Sequence, residues 1–356
     1  MAISSRCDTS DRSARTVTIE SSHVRATATR VTRCFMSACL ALLAASLGIA
    51  SAQAQTSAWP QRPVRVLVPF AAGGNIDVIA RLTSQRMSEV FGQQFVIENR
   101  VGGNGTIAGE TAARAQPDGY TLFWAGPAVV SIFPAITKAA YDPVKDFKPI
   151  SVIGVNPQAL VVNAKLPIKN VADFIAYVKA QPPGLPYAGG GGPGSLSNLL
   201  MALFLKRAGL QMTSVSYRGT APAMTDLVAG HIPTMFVPLS EALPQAQAGN
   251  IRMLGVSGEK RARQAPEVPT IAESGFPGFR GESWNGALAP AATPDEIVNR
   301  ISAEFARAAK EPRFVERLDQ EGVDPLGSTP AETAKFIAAD MALWAEAVKV
   351  AGVSLQ

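Results

Sequence analysis

Two glycine-rich turns carry the residues best suited to hold a ligand. The first runs Phe70, Ala71, Ala72, Gly73, Gly74, Asn75, Ile76, Asp77. It follows a β-branched strand pattern at 64–68 that Pro69 ends, and it leads into an amphipathic helix that Asp77 opens and caps. A helix start has unpaired N–H groups and the positive end of a dipole. No side chain larger than Asn75 screens them between 71 and 75, so a carboxylate can reach the backbone directly. The alternative is a tight βα turn that needs glycine for its dihedral angles alone. The second turn has four consecutive glycines, Gly189, Gly190, Gly191 and Gly192, followed by Gly194, Ser195 and Ser197. Such a run costs backbone entropy, and close approach of a ligand is one reason to keep it. Ser195 and Ser197 place hydroxyls at a helix start, where Ser195 reads equally well as an N-cap. A third turn, Tyr217, Arg218 and Gly219, holds the only cation among these turns. Arg218 can pair with a carboxylate, although solvated surface arginines are commoner.

Catalytic chemistry is poorly supplied. After the first 54 residues the only histidine is His231, which follows Gly230 between a helix end and a strand. Pro193 and Ser197 stand where a G-x-S-x-G nucleophile elbow around Ser195 needs glycine. Carboxylates are scattered through turns and helix starts, without the facing pairs that acid–base hydrolysis requires. Gly103-Asn104-Gly105 resembles a dinucleotide fingerprint, but Gly109 comes one residue too late and no acidic residue ends a following strand. The expectation is a non-enzymatic binder with no cofactor and no metal; a secreted hydrolase working at the glycine loop through Ser195 is the alternative.

These turns need elements to position them. The chain has 356 residues and 47% apolar side chains, enough for two cores. Cys7, Cys34 and Cys39 all fall in the first 54 residues, so the remainder has no thiol for disulfides or zinc. That leader also holds six arginines against three acidic residues, and hence three of the five net positive charges. The rest has no clustered basic face for nucleic acid. A basic flank, an apolar run at 39–50 and small residues ahead of 52 and 54 predict a secretory signal peptide, too short in its apolar core for a membrane span. Residues 1–54 are therefore expected to lie outside the fold, either as a removed leader or, in part, as sequence ahead of a true start near Met36. Beyond it the pattern β-α-β-α-β over 64–124 predicts a parallel, doubly wound start. Residues 151–163 are apolar without helical period and read as extended chain between domains. A second α/β series follows, with Asn170 capping a helix, a strand at 185–188 entering the glycine loop, and a helix from 195 to 208. A returning strand at 284–289 and three helices, near 294–310, 313–320 and 330–350, finish the chain.

Several collinear segments resemble one family. VPFAAGGNIDVIARL (68–82), ENRVGGNG (98–105), PDGYTL (117–122), YDPVKDFKPIS (141–151), YRGTAPAMTDLVAG (217–230) and PTIAESGFPGF (269–279) resemble the Bug/TctC family of extracytoplasmic solute receptors of tripartite tricarboxylate transporters. The resemblance implies a type II periplasmic-binding-protein fold: two doubly wound α/β domains, a ligand cleft between them and two crossovers. Domain one would comprise 57–155 and 277–356, and domain two 156–276. It also implies a periplasmic, monomeric protein that grips a small carboxylate through the turns 70–77 and 189–197 and delivers it to membrane permease subunits; a ligand sensor for a signalling partner is the other use of such a body. Three departures stand out. Asn198 occupies the place of a common histidine, Val237 that of a common aspartate, and Gly126, Pro127, Ala128 and Val129 replace an often polar loop. The cleft they imply is less polar than is usual, suited to one gripped carboxylate on an apolar or aromatic remainder.

Overall fold

Strand β1 (Val64–Val68), helix α1 (Asn75–Phe91), β2 (Phe95–Asn99), α2 (Thr106–Ala113) and β3 (Thr121–Ala125) form the predicted parallel start, with β1 between β2 and β3. The computed structural model describes residues 59–190, 192 and 194–353. The predicted leader, its three cysteines and Gly191 lie outside the described residues.

After β3 the chain departs from its sequence reading. Residues 126–129, expected as a loop, begin a π turn, Ala128–Ile132, that runs into a short helix α3, Phe133–Ile136. The extended segment between domains is longer than expected: it is strand β4, Phe147–Asn163, buried along almost its whole length. A strand covered on both faces carries a continuous apolar run, which hides its alternation from a periodicity reading. The first part of β4 pairs antiparallel with β9 (Glu282–Pro290), ending at Pro157↔Glu282. Its second part pairs antiparallel with β7 (Thr234–Pro238), starting at Gln158↔Pro238, and with β8 (Ile251–Val256). The exchange of partners falls at Pro157, a residue with no N–H to give to a ladder.

The second α/β group follows: α4 (Val171–Lys179), β5 (Pro186–Gly190), α5 (Leu196–Ala208), β6 (Thr213–Tyr217), α6 (Thr220–Ala229) and α7 (Leu239–Gln247), with β5 parallel to both β6 and β7. Helices α8 (Asp295–Ala308), α9 (Pro312–Gln320) and α10 (Pro330–Ala351) close the chain, and the two-residue β10 (Asp324–Pro325) pairs with β4. Strand order is β2-β1-β3-β9-β4-β7-β5-β6. Two parallel α/β groups are thus joined through β4 and β9, the two crossing strands.

Alternation along β4 divides the second group's core: Leu160 and Val162 join Phe204, Phe236 and Phe279 on one face, and Ala159 and Val161 join Met235 and Val237 on the other. The first group's core gathers Leu67, Phe123, Val152 and Trp284. In α8, Ile297, Ile301 and Phe305 are buried as their spacing predicts, each worth roughly 1.5–3 kcal/mol of transfer free energy. Helix α10 belongs to both cores, with Ile337 in the first and Trp344, Ala347 and Val348 in the second. Asp340 fixes it at the junction, where Trp284 Nε1 (3.0 Å), Trp344 Nε1 (2.8 Å) and the Ser131 hydroxyl all donate to the buried carboxyl. Burial pushes this carboxyl up, and the three donors oppose that shift.

Candidate functional site

The first turn is built as predicted in outline but not in its cap. Helix α1 starts earlier than expected, with its N-cap at Gly74, three residues before Asp77, and a glycine there supplies no capping side chain. Asp77 is therefore not the cap. It sits in the first helical turn, 1% exposed, and its Oδ2 accepts from the Gly73 amide at 3.0 Å. Arg81 Nε and Nη2 donate to its two oxygens at 2.8 and 3.0 Å, and Asn99 Nδ2 donates at 2.8 Å. Burial alone would raise the Asp77 carboxyl; hydrogen bonds from Arg81, Asn99 and Gly73, with the Arg81 charge, outweigh it and hold the group below the usual carboxylate value. Asn99 also donates to the Phe70 carbonyl at 2.8 Å, so both ends of the turn are fixed from one point. Ala71, Ala72, Gly73 and Gly74 are exposed.

Asn75 is held sideways rather than aimed outward. Its Nδ2 donates to the Glu321 carbonyl (3.2 Å), and its Oδ1 accepts from Asn285 Nδ2 (3.1 Å). Asn285 also donates to Asn156 Oδ1 and accepts from Trp124 Nε1. This buried polar network ties the start of α1 to β3, β4, β9 and the chain after α9.

In the second turn the glycines have structural reasons that spacing does not reveal. A Cβ on Gly189 would lie 2.5 Å from Asn198 Oδ1 and 2.7 Å from Ser214 Oγ. One on Gly190 would press on Thr220 at 3.3 Å, and Gly192 has φ +91°, a conformation costly for side-chain-bearing residues. Ser195 is the N-cap of α5, its hydroxyl accepting from the Asn198 amide. Ser197 is buried and donates to Gln158 Oε1 on β4 at 3.1 Å. Asn198, where the resemblance leads one to expect a histidine, is buried too, and its Oδ1 accepts from Tyr187 and Ser214 hydroxyls.

A cavity of about 640 Å3 receives both turns. Phe70 and Ile76 line it from the first; Gly194, Ser195 and Leu196 from the second. Pro127 lines it, whereas Gly126 is buried, and a Cβ there would lie 2.8 Å from the Trp284 carbonyl. Among the described residues, the other predicted positions of the two turns are not part of this lining. Tyr217 donates to Asp226 Oδ2 at 2.7 Å, Gly219 precedes α6, and Arg218 is exposed with no ion pair among the described residues. His231 is exposed and contacts Asp226 at 3.2 Å.

Sequence reasoning missed several lining residues: Asn104, Ile132, Phe133, Ile136, Ser283 and the C-terminal Ala351, Gly352 and Val353. One had a signal. Asn104 lies between two glycines and is the one residue other than glycine with positive φ (56°) among the described residues, a conformation asparagine tolerates. Among the described residues, none that lines the cavity is charged. The polar groups are Asn104, Ser195 and Ser283, beside the helix starts of α1 and α5, whose free amides and dipoles favour an anion.

Known proteins share this arrangement. A sequence model described as the tripartite tricarboxylate transporter family receptor matches residues 79–353. BugT of Bordetella pertussis is 32% identical over 324 residues, 90% of this chain and 98% of BugT. Among solved structures, R. palustris Rpa4515 with adipate is 36% identical at a TM-score of 0.70, covering 83% of this chain and 99% of that one. MatC from Rhodopseudomonas palustris with bound malate is 33% identical at 0.66, covering 82% and 100%. Solved relatives thus cover more than four fifths of this chain, and with a family model matching residues 79–353, this chain belongs to the tripartite tricarboxylate transporter family of receptors, the Bug/TctC solute-binding proteins.

Proposed function

We propose that the protein is a periplasmic receptor that captures a small carboxylate with an apolar or aromatic remainder and presents it, as a monomer, to the membrane subunits of a tripartite transporter. The observation that carries this reading is a cavity reached by both turns, with no charged side chain among the described residues that line it. One carboxylate is served there by amides at two helix starts and by hydroxyl and amide side chains. Three carboxylates would be desolvated without a cation to meet them, which is strongly unfavourable. Relatives solved with adipate and malate support a carboxylate ligand. In this reading the lobes comprise 57–155 with 277–356 and 156–276, and a ligand touching both favours their approach. Isothermal titration against citrate and phenylacetate tests the ligand class. Stoichiometric binding of phenylacetate, recovered unchanged, is the expected result; tight citrate binding with no phenylacetate signal overturns it.

The role of the first turn has its own test. Gly74 has φ −78° and ψ 161°, which any residue adopts, and a Cβ there meets nothing closer than the Ala71 carbonyl at 4.0 Å. Gly74→Val should therefore leave stability within about 1 kcal/mol, because no contact is lost and the unfolded chain is stiffened. The added branch screens the amides at the start of α1, so affinity should fall by more than about tenfold, the loss of at least one charge-assisted hydrogen bond. Unchanged affinity would remove this turn from the site.

A further inference from the structure

The cavity has an uneven wall, and part of it comes from the end of the chain. Helix α10 stops at Gly352, whose left-handed conformation (φ 65°, ψ 28°) brings its amide to the Lys349 carbonyl and the Val353 amide to Val348. This ending turns the chain back on itself, and Val353 packs against the core that holds Trp344 and Val348. Ala351, Gly352 and Val353 all line the cavity. Ile132, Ile136 and Leu196 line it as well, and each belongs to or packs against that same core. The cavity therefore has a carbon-lined region continuous with the second group's core, and none of these six residues has a polar side chain. The turn is well anchored, because Trp344 is fully buried and bonded to Asp340 one helical turn further back.

We infer that the C-terminal turn is the end stop of the ligand pocket, and that Val353, with Ala351, sets the length of the apolar part of the acid the protein accepts. The inference rests on the carboxylate reading of the cavity. An acid held by its carboxylate at the helix starts extends its remainder along carbon lining, and this region is the stretch of it that is continuous with the second group's core. Once the chain reaches the turn, each further methylene must displace packed core or bend back.

The test is a titration series of straight-chain monocarboxylates from butanoate to dodecanoate against the unmodified protein, Val353→Trp and Val353→Ala. The unmodified protein should show an affinity optimum within the series. Val353→Trp should move it to shorter acids and weaken the formerly best ligand by about tenfold or more, the scale of one methylene in a hydrophobic pocket. Val353→Ala should move it to longer acids, while the shortest acid bound keeps its affinity in both variants. An optimum that stays in place overturns the end stop and leaves the carboxylate reading standing. A uniform loss across the series, the mark of simple destabilisation, also overturns it. Failure of the unmodified protein to bind any acid of the series overturns both.

Discussion

Asp77→Ala should cost about 3 kcal/mol of stability, the lower end of what removing one partner of a buried ion pair costs, and should weaken ligand binding as well. The carboxylate is 1% exposed and meets donors from the Gly73 amide, Arg81 and Asn99. Arg81 keeps half of its side chain in water, so it can be resolvated when its partner is lost, and this holds the cost near the bottom of the range. The Gly73 amide and the Asn99 side chain lose their common acceptor. Because Asn99 also holds the Phe70 carbonyl, the turn then loosens at both ends. Asp77→Asn keeps an acceptor but loses the charge, so it should fall between the two proteins. The sign with pH follows from the depressed carboxyl. The stabilisation is present above the ordinary carboxylate range and is lost as pH falls through the lower folded value, so the gap between wild type and Asp77→Ala should narrow in acid. Urea denaturation at several pH values measures the stability and titration of phenylacetate the affinity. Unaltered binding in Asp77→Ala would mean that the turn's geometry does not depend on this anchor.

Glu282→Gln should act in the opposite direction and stabilise the protein in alkali. Glu282 begins β9, pairs in register with Pro157 where β4 changes partners, and is partly buried. Burial pushes its carboxyl up to about 8, Glu259, Asp324 and Asp340 add to the shift, and Arg280 opposes it. Arg280 is already engaged with Glu259 at 2.7 Å. A raised folded value means that the favourable contribution of the protonated group is fully present below the ordinary glutamate value and disappears as pH rises through about 8. Glutamine is a neutral isostere that never acquires the charge. The variant should match wild type only below the ordinary glutamate value of 4.5, pull ahead as pH rises through that window, and exceed it by about 2 kcal/mol at pH ~9, discounted from the full linkage value for the solvent this residue retains. Denaturation midpoints at both ends of that window decide it. A stability difference that does not vary with pH would show that Glu282 is charged throughout.

The strand–turn–helix units at 64–91 and 185–208 were legible because their signals are local. Pro69 ends β1, Gly92 closes α1 in the left-handed conformation, Asn170 caps α4 and Ser195 caps α5, each with partners a few residues away. The π turn after β3 was not legible, since Gly126, Pro127 and Ala128 read as loop, and the partners of the turn are distant in sequence: Gly126 lies against the Trp284 carbonyl of β9 and Ser131 bonds Asp340 of α10. The four glycines suggested a ligand. In the folded protein, Gly189 and Gly190 also make room for Asn198, Ser214 and Thr220, and the choice between those reasons depends on residues brought in by other elements.

By itself the sequence determined the alternation of strands and helices, the two glycine turns and the collinear motifs of a receptor family, because side-chain periodicity and capping act over one or two turns of chain. Only the tertiary structure decided what those turns face. Asn285 reaches Asn75 across 210 residues, Asp340 reaches Ser131 across 209, and Val353 closes a cavity that Phe70 helps to open. The lining of a cleft is a meeting of distant segments, and the free energy that brings them together comes from two shared cores and a buried polar network rather than from any local pattern.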